Sequence, residues 1–128
     1  MFGQFDEQSS PKPILVVDDN DELRFLMSRA LESAGYTVFE ASDGTEAVEL
    51  LAERIQIQLL ITDVQMPGLS GLELVKRFRA DSSAPVLFIS GYALDPSELP
   101  GPMLEKPFTP ALLVETVKRL LATTLMET

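Results

Sequence analysis

Four short stretches of this 128-residue chain end an apolar run on residues with a chemical use. Asp18 and Asp19 follow Ile14-Leu15-Val16-Val17, and Asp63 follows Leu59-Leu60-Ile61-Thr62. Ser90 follows Val86-Leu87-Phe88-Ile89, and Lys106-Pro107 follows Met103-Leu104-Glu105. Brought together, three carboxylates, a hydroxyl and an ammonium make an all-oxygen site for a divalent cation, with a phosphoryl acceptor built in. Crowded carboxylates repel and partly protonate unless a dication and an ammonium neutralise them. Magnesium needs few protein ligands, keeps its waters and takes phosphate oxygens, so a half-open acidic site suits it. Phosphoryl transfer needs in-line positioning and stabilised equatorial oxygens, which metal, lysine and hydroxyl supply. A carboxylate can be the covalent acceptor.

Composition closes off other chemistries. The chain has no cysteine and no histidine, which excludes disulfides, thiolate or imidazole metal ligands and histidine acid–base catalysis. Any metal must be held by oxygen, which favours magnesium, calcium or manganese. The net charge is −10 and the 10 basic residues form no run, so direct nucleic-acid binding is not expected. No apolar stretch reaches the length of a membrane span, and the start lacks the order of a signal peptide. A soluble, cytoplasmic protein is the expectation. The length and the 45% hydrophobic content suit one globular domain.

The candidate residues need elements to position them. Residues 1–12 show no periodicity and read as a tail or linker, residues 13–124 as the domain, and residues 125–128 as a C-terminal tail. Leu23, Leu26, Met27, Ala30, Leu31 and Ala34 recur at helical spacing, and Gly35 follows as a stop. Thr37 to Ala41 is a strand candidate. Ala47, Val48, Leu51 and Ala52 mark a second helix. A loop over Pro67-Gly68-Leu69-Ser70-Gly71 precedes a third, carrying Leu72, Val75 and Phe78. Thr109-Pro110 opens the last helix as cap and first-turn proline, and Leu113, Val117, Leu120 and Leu121 follow. Continuous apolar runs point to parallel strands buried on both faces. Five strands alternating with helices predict an α/β fold, a doubly wound five-stranded parallel sheet of the flavodoxin-like kind. In such sheets ligands gather at the carboxyl ends of the strands, where Asp19, Asp63, Ser90 and Lys106 all fall.

Each residue also has a plainer reading. Asp18 and Asp19 are good helix caps, and with Asp21 and Glu22 they read as a solvated helix start. Ser90 beside a glycine commonly makes a turn, and Lys106 taken singly is a surface lysine. Gly68 and Gly71 read as backbone devices for conformations barred to other residues. The apolar helix stripes read as core. What favours the chemical reading is the order of all four stretches on strand ends.

Across roughly residues 13–124 the sequence resembles the receiver domain of two-component phosphorelay signalling. The resemblance rests on Asp18-Asp19, Thr62-Asp63-Val64-Gln65-Met66-Pro67-Gly68, Gly71, Ser90-Gly91 and Lys106-Pro107-Phe108. It implies that Asp63 accepts a phosphoryl group from a histidine kinase or a histidine phosphotransfer protein. Asp19, Asp63 and the Gln65 carbonyl would ligate magnesium (or manganese), with Asp18 acting directly or through water. Ser90 and Lys106 would each hold a phosphoryl oxygen, and the Lys106-Pro107 bond would be cis. Such a domain catalyses its own phosphorylation and dephosphorylation and signals through protein contacts, so it is a switch more than an enzyme in the usual sense.

Two departures from that pattern shape expectations. Receivers carry an aromatic three residues before the lysine; here that position is Met103, with Tyr92 and Phe108 as the nearby rings. Only residues 91–102 join the fourth strand to the fifth, and Pro96, Pro100, Gly101 and Pro102 leave room for about one turn near Pro96–Leu99. The fourth helix of the family is therefore expected to be shortened or missing, which is similar to receivers attached to hybrid sensor kinases. Three other functions compete. An interaction domain that acts without phosphorylation is one. An aspartate-nucleophile phosphatase is another, disfavoured by Gln65 where a second aspartate would be needed. A flavin binder is the third, disfavoured because the chain has few aromatics and no hydroxyl-rich phosphate loop after its first strand. The chain suits either a stand-alone receiver or a piece of a longer protein.

Overall fold

The computed structural model describes residues 12–91 and 95–126. Five strands form one parallel sheet in the order β2-β1-β3-β4-β5. They are β1 (Ile14–Val17), β2 (Val38–Ala41), β3 (Leu59–Asp63), β4 (Val86–Ser90) and β5 (Met103–Glu105). Helices α1 (Asp21–Ser33), α2 (Gly44–Ala52), α3 (Gly71–Asp81) and α4 (Pro110–Met126) cover its two faces. This is the expected doubly wound fold. Strand order reverses between β1 and β3, so a crevice opens at their carboxyl ends. Asp18 and Asp19 leave one side of that crevice and Asp63 the other.

The three central strands are buried along their whole length. Successive side chains of a strand point to opposite faces, and here each face meets its own core. Leu15, Val17, Leu60, Val86 and Phe88 pack with Ala47, Leu74 and Phe78 from α2 and α3. Ile14, Val16, Leu59, Ile61, Leu87 and Ile89 pack with Met27 and Leu31 of α1 and Leu113 and Val117 of α4. Both strand faces are therefore apolar, and the runs read as continuous in sequence.

Helix starts follow the polar residues just before them. Asn20 caps α1 by accepting the Leu23 N–H at 2.9 Å. Asp43 accepts from Glu46 N–H at 2.8 Å, and Ser70 with Glu73 forms a reciprocal capping box on α3. Thr109 accepts the Leu112 N–H at 3.0 Å, with Pro110 opening α4 as predicted. Gly35, at φ 101°, follows the end of α1. The β4–β5 connection carries one 3-10 turn, Pro96–Glu98. Asp95 stabilises it by accepting the Ser97 and Glu98 N–H groups through its side chain and carbonyl. The shortened fourth crossover is thus observed, and the described residues hold four α-helices.

The helix stripes need correction. Leu26 is 54% exposed and Leu72 39%, so neither belongs to the core. In α1 the buried positions are Met27, Ser28 and Leu31, because the helix meets the sheet along a line one residue on from the apolar count. Ser28 is enclosed, and its hydroxyl has no hydrogen-bond partner among the described residues. A hydroxyl buried in that way costs roughly 1–3 kcal/mol. Ser28→Ala is therefore expected to raise the urea-unfolding free energy by about 1 kcal/mol. A loss of stability would show that the hydroxyl is satisfied in solution.

Candidate functional site

Each candidate side chain stands where a strand stops being a ladder. Past the last β1 pairing, Asp18 N–H still donates to the Ala41 carbonyl at 3.2 Å. The Asp18 carboxylate turns back to accept the Asn20 N–H at 2.8 Å through Oδ1. The cap of α1 is Asn20, so Asp18 and Asp19 are not spent on capping the helix. Asp63 is the last residue of β3, and its Oδ1 accepts the Gln65 N–H at 3.2 Å. Lys106 follows β5, and its N–H donates to the Ser90 carbonyl at 2.7 Å. The Lys106-Pro107 bond is cis, as expected.

These placements bring four groups together. Lys106 Nζ donates to Asp63 Oδ2 at 2.9 Å. It lies 3.4 Å from Asp18 Oδ2, a separation of ion-pair length without a hydrogen bond. Asp18, Asp19 and Asp63 each offer an oxygen to one point, with those oxygens all within 4.8 Å of one another. Asp18 and Asp63 are buried while Asp19 is exposed at the rim. The cleft above them is lined by these three, Gln65 and Lys106, with Gly91 on the β4 side. Ser90 itself is buried at the end of β4. Its main-chain carbonyl supports Lys106. Tyr92 lies outside the described residues. Met103 is half-buried against the α2–α3 core, and Phe108 packs against the α1–α4 core.

Electrostatics follow from this crowding. Burial pushes the Asp18 carboxyl above its ordinary value, and the Asp63 charge adds to the rise. The Asn20 N–H and Lys106 pull it down without overcoming that. Burial alone would lower the Lys106 ammonium, but the bond to Asp63 and the charge of Asp18 outweigh it and raise it. Lys106 therefore remains a cation, and it is one positive charge among three carboxylates. Asp18 Oδ2, buried without a hydrogen bond from the described residues, is the kind of atom a cation would satisfy. The all-oxygen donor set fits a hard dication that keeps some of its water.

A larger groove, of about 1170 Å³, lies at the amino ends of the strands beside Tyr36, Arg54 and Arg77. It brings together no carboxylate cluster, so size alone does not locate the chemistry.

The sequence profile of the response regulator receiver domain matches residues 14–99. The chain belongs to this family. The matched span stops before β5, so Lys106 joins the site on geometry. The receiver is 40% identical over 115 residues to the response regulator receiver protein CpdR of Brucella abortus, covering 84% of this chain and 94% of that protein. It is 36% identical over 121 residues to the sensor kinase CckA of the same species, covering 88% of this chain but 13% of the kinase. The crystal structure of the receiver domain from hybrid histidine kinase CckA matches at 42% identity and a TM-score of 0.75, covering 85% of this chain and 98% of that one. A CheY-like receiver domain from Methanospirillum hungatei gives a TM-score of 0.84 at 26% identity, covering 93% of this chain and all of that one. The receiver spans only 13%, 32% and 49% of three of the matched curated relatives.

Two site features escaped the sequence reading. Arg24 donates to the Asp18 carbonyl at 2.7 Å; the signal available was one arginine after four acids in a stretch of five residues (18–22). Gly71 was expected to serve through its conformation. Its φ is not in the left-handed region, whereas Gly68 has φ 76°. Gly71 is needed for space, since a Cβ there would lie 2.1 Å from the Asp63 carbonyl oxygen.

Two outcomes are expected. Gly71→Ala forces β3 and α3 apart beneath Asp63 and should cost about 2–3 kcal/mol in chemical denaturation; an unchanged midpoint would show that the backbone yields freely. For Asp18 the folded value lies above the unfolded one, so ionising it costs stability as pH rises through that window. Without metal, the stability of Asp18→Asn relative to wild type should therefore increase from acid to neutral pH. A flat difference would contradict the burial argument.

Proposed function

We propose that this receiver takes a phosphoryl group onto Asp63 from a histidine kinase or a histidine phosphotransfer protein. The observation that carries the reading is the 2.9 Å contact between Lys106 Nζ and Asp63 Oδ2 beside the Asp18–Asp19 pair. Asp63 Oδ attacks phosphorus, the new O–P bond forms, and the P–N bond to the donor imidazole breaks. The departing nitrogen keeps the electron pair and takes up a proton as needed. Lys106 exchanges part of its hold on Asp63 for a phosphoryl oxygen, which places positive charge where negative charge accumulates. Ser90, at the adjoining strand end, offers its hydroxyl to a second oxygen after transfer.

Asp18, Asp19, Asp63 and the carbonyl of Gln65 would hold magnesium, with manganese as the alternative. When bound, the ion offsets the carboxylate charge that one lysine leaves unbalanced and polarises phosphoryl oxygens. The output is a change of shape read through protein contact, and no direct nucleic-acid contact is involved. The chain's −10 charge is in keeping with that. Among the described residues no helix is long and apolar enough to cross a membrane. A cytoplasmic setting accords with a histidine-kinase donor.

The test is intact mass after incubation with acetyl phosphate. One added phosphoryl group is expected on wild type with magnesium, and none without the metal or on Asp63→Asn. Labelling of Asp63→Asn at the wild-type level would remove Asp63 from the role. Metal binding with no labelling, even from a phosphorylated histidine donor, would favour a receiver that acts unphosphorylated.

A further inference from the structure

The turn carrying Asp18 and Asp19 lies beyond the sheet ladder, so its shape depends on a few bonds. Asp18 N–H is tied to Ala41, and Asn20 N–H is tied to the Asp18 side chain. The Asp18 carbonyl is held by one side chain, Arg24, whose Nη1 donates to it at 2.7 Å. The Arg24 fork is aimed from two further sides. Nη2 donates to Asp21 Oδ1 at 2.7 Å and Nε to Glu40 Oε1 at 3.2 Å. One guanidinium thus joins the end of β1, the first turn of α1 and strand β2.

Exposure shows which of these contacts matters most. The Arg24 side chain is 15% exposed, against 86% for Asp21 and 41% for Glu40. Ion pairs to solvent-exposed carboxylates contribute little. A charged donor on a shielded carbonyl contributes more. Asp21 and Glu40 orient the fork, and the carbonyl is what the fork holds. Arg24 does not line the cleft.

We propose that Arg24 is a positioning residue for the cation site: by holding the Asp18 carbonyl, it fixes the turn from which the Asp18 and Asp19 carboxylates project. This rests on the magnesium reading above. Charge and position make opposite forecasts here. If Arg24 acted only through its charge, Arg24→Met would make the site more negative and bind a dication more tightly, and Arg24→Lys would change nothing. If it acts by position, both variants weaken binding. Lysine keeps the charge but lacks the planar fork that reaches three acceptors at once.

Isothermal titration with magnesium chloride, on protein confirmed folded by far-ultraviolet circular dichroism, separates the two. Wild type should bind. Arg24→Met should raise the dissociation constant roughly tenfold, the usual scale for losing a residue that orients metal ligands. Arg24→Lys should raise it severalfold. Unchanged or tighter binding in the variants, whatever their melting temperatures, overturns the proposal and leaves the magnesium reading standing. No binding by wild type overturns that reading and this proposal with it. Should Arg24→Met fail to fold, Arg24→Lys decides alone, since a charge-only role predicts wild-type affinity for it.

Discussion

Lys106 lies 2.9 Å from Asp63 and 3.4 Å from Asp18, and it is the ammonium that lets a buried acidic cleft exist in the resting fold. Like charges at such spacing in a shielded cleft repel strongly. One cation offsets part of that repulsion and leaves an imbalance that a dication would complete. Much of the local structure serves this arrangement. The Ser90 carbonyl holds the lysine main chain, the Asn20 N–H holds one oxygen of Asp18, and the Gln65 N–H holds one oxygen of Asp63.

The sheet makes such a gathering affordable. Parallel strands end at one edge, and the reversal between β1 and β3 keeps helices from closing over that edge. Residues distant in sequence, such as Asp18 and Lys106, arrive as neighbours because β5 is three residues long and stops in register with the end of β4. The glycine at 71 lets α3 begin against the Asp63 main chain, so Asp63 is backed by a helix start as well as a strand.

Much of this was legible in the sequence. Fully buried strands announce themselves as unbroken apolar runs, and the five runs fell where the strands are, to within a residue at their ends. The polar residues ending those runs include the three carboxylates and the lysine that gather at one sheet edge, and the prolines between 96 and 102 named the short crossover. What stayed hidden depended on facing and distance. Leu26 and Leu72 fit a helical stripe by count but face water, because helix rotation is set by packing and not by the stripe alone. Arg24 drew no reading from the sequence, since the carbonyl it holds has no signature there. Gly71 could be read as a turn residue, but the 2.1 Å approach that requires it exists only in three dimensions.

The separation of the two apolar cores has a consequence of its own. The sheet acts as a septum: α1 and α4 belong to one compartment, α2 and α3 to the other. Side-chain repacking in one compartment meets strand backbone before it meets the other. The strand ends at the cleft are where the two compartments meet: Asp18 and Asp63 continue the Ile14-Val16 and Leu59-Ile61 alternation on the α1–α4 side, while α3 starts against the Asp63 main chain from the other. A disturbance on either face therefore reaches the carboxylates by its own route, through side-chain packing from the α1–α4 side and through the Asp63 main chain from the α3 side.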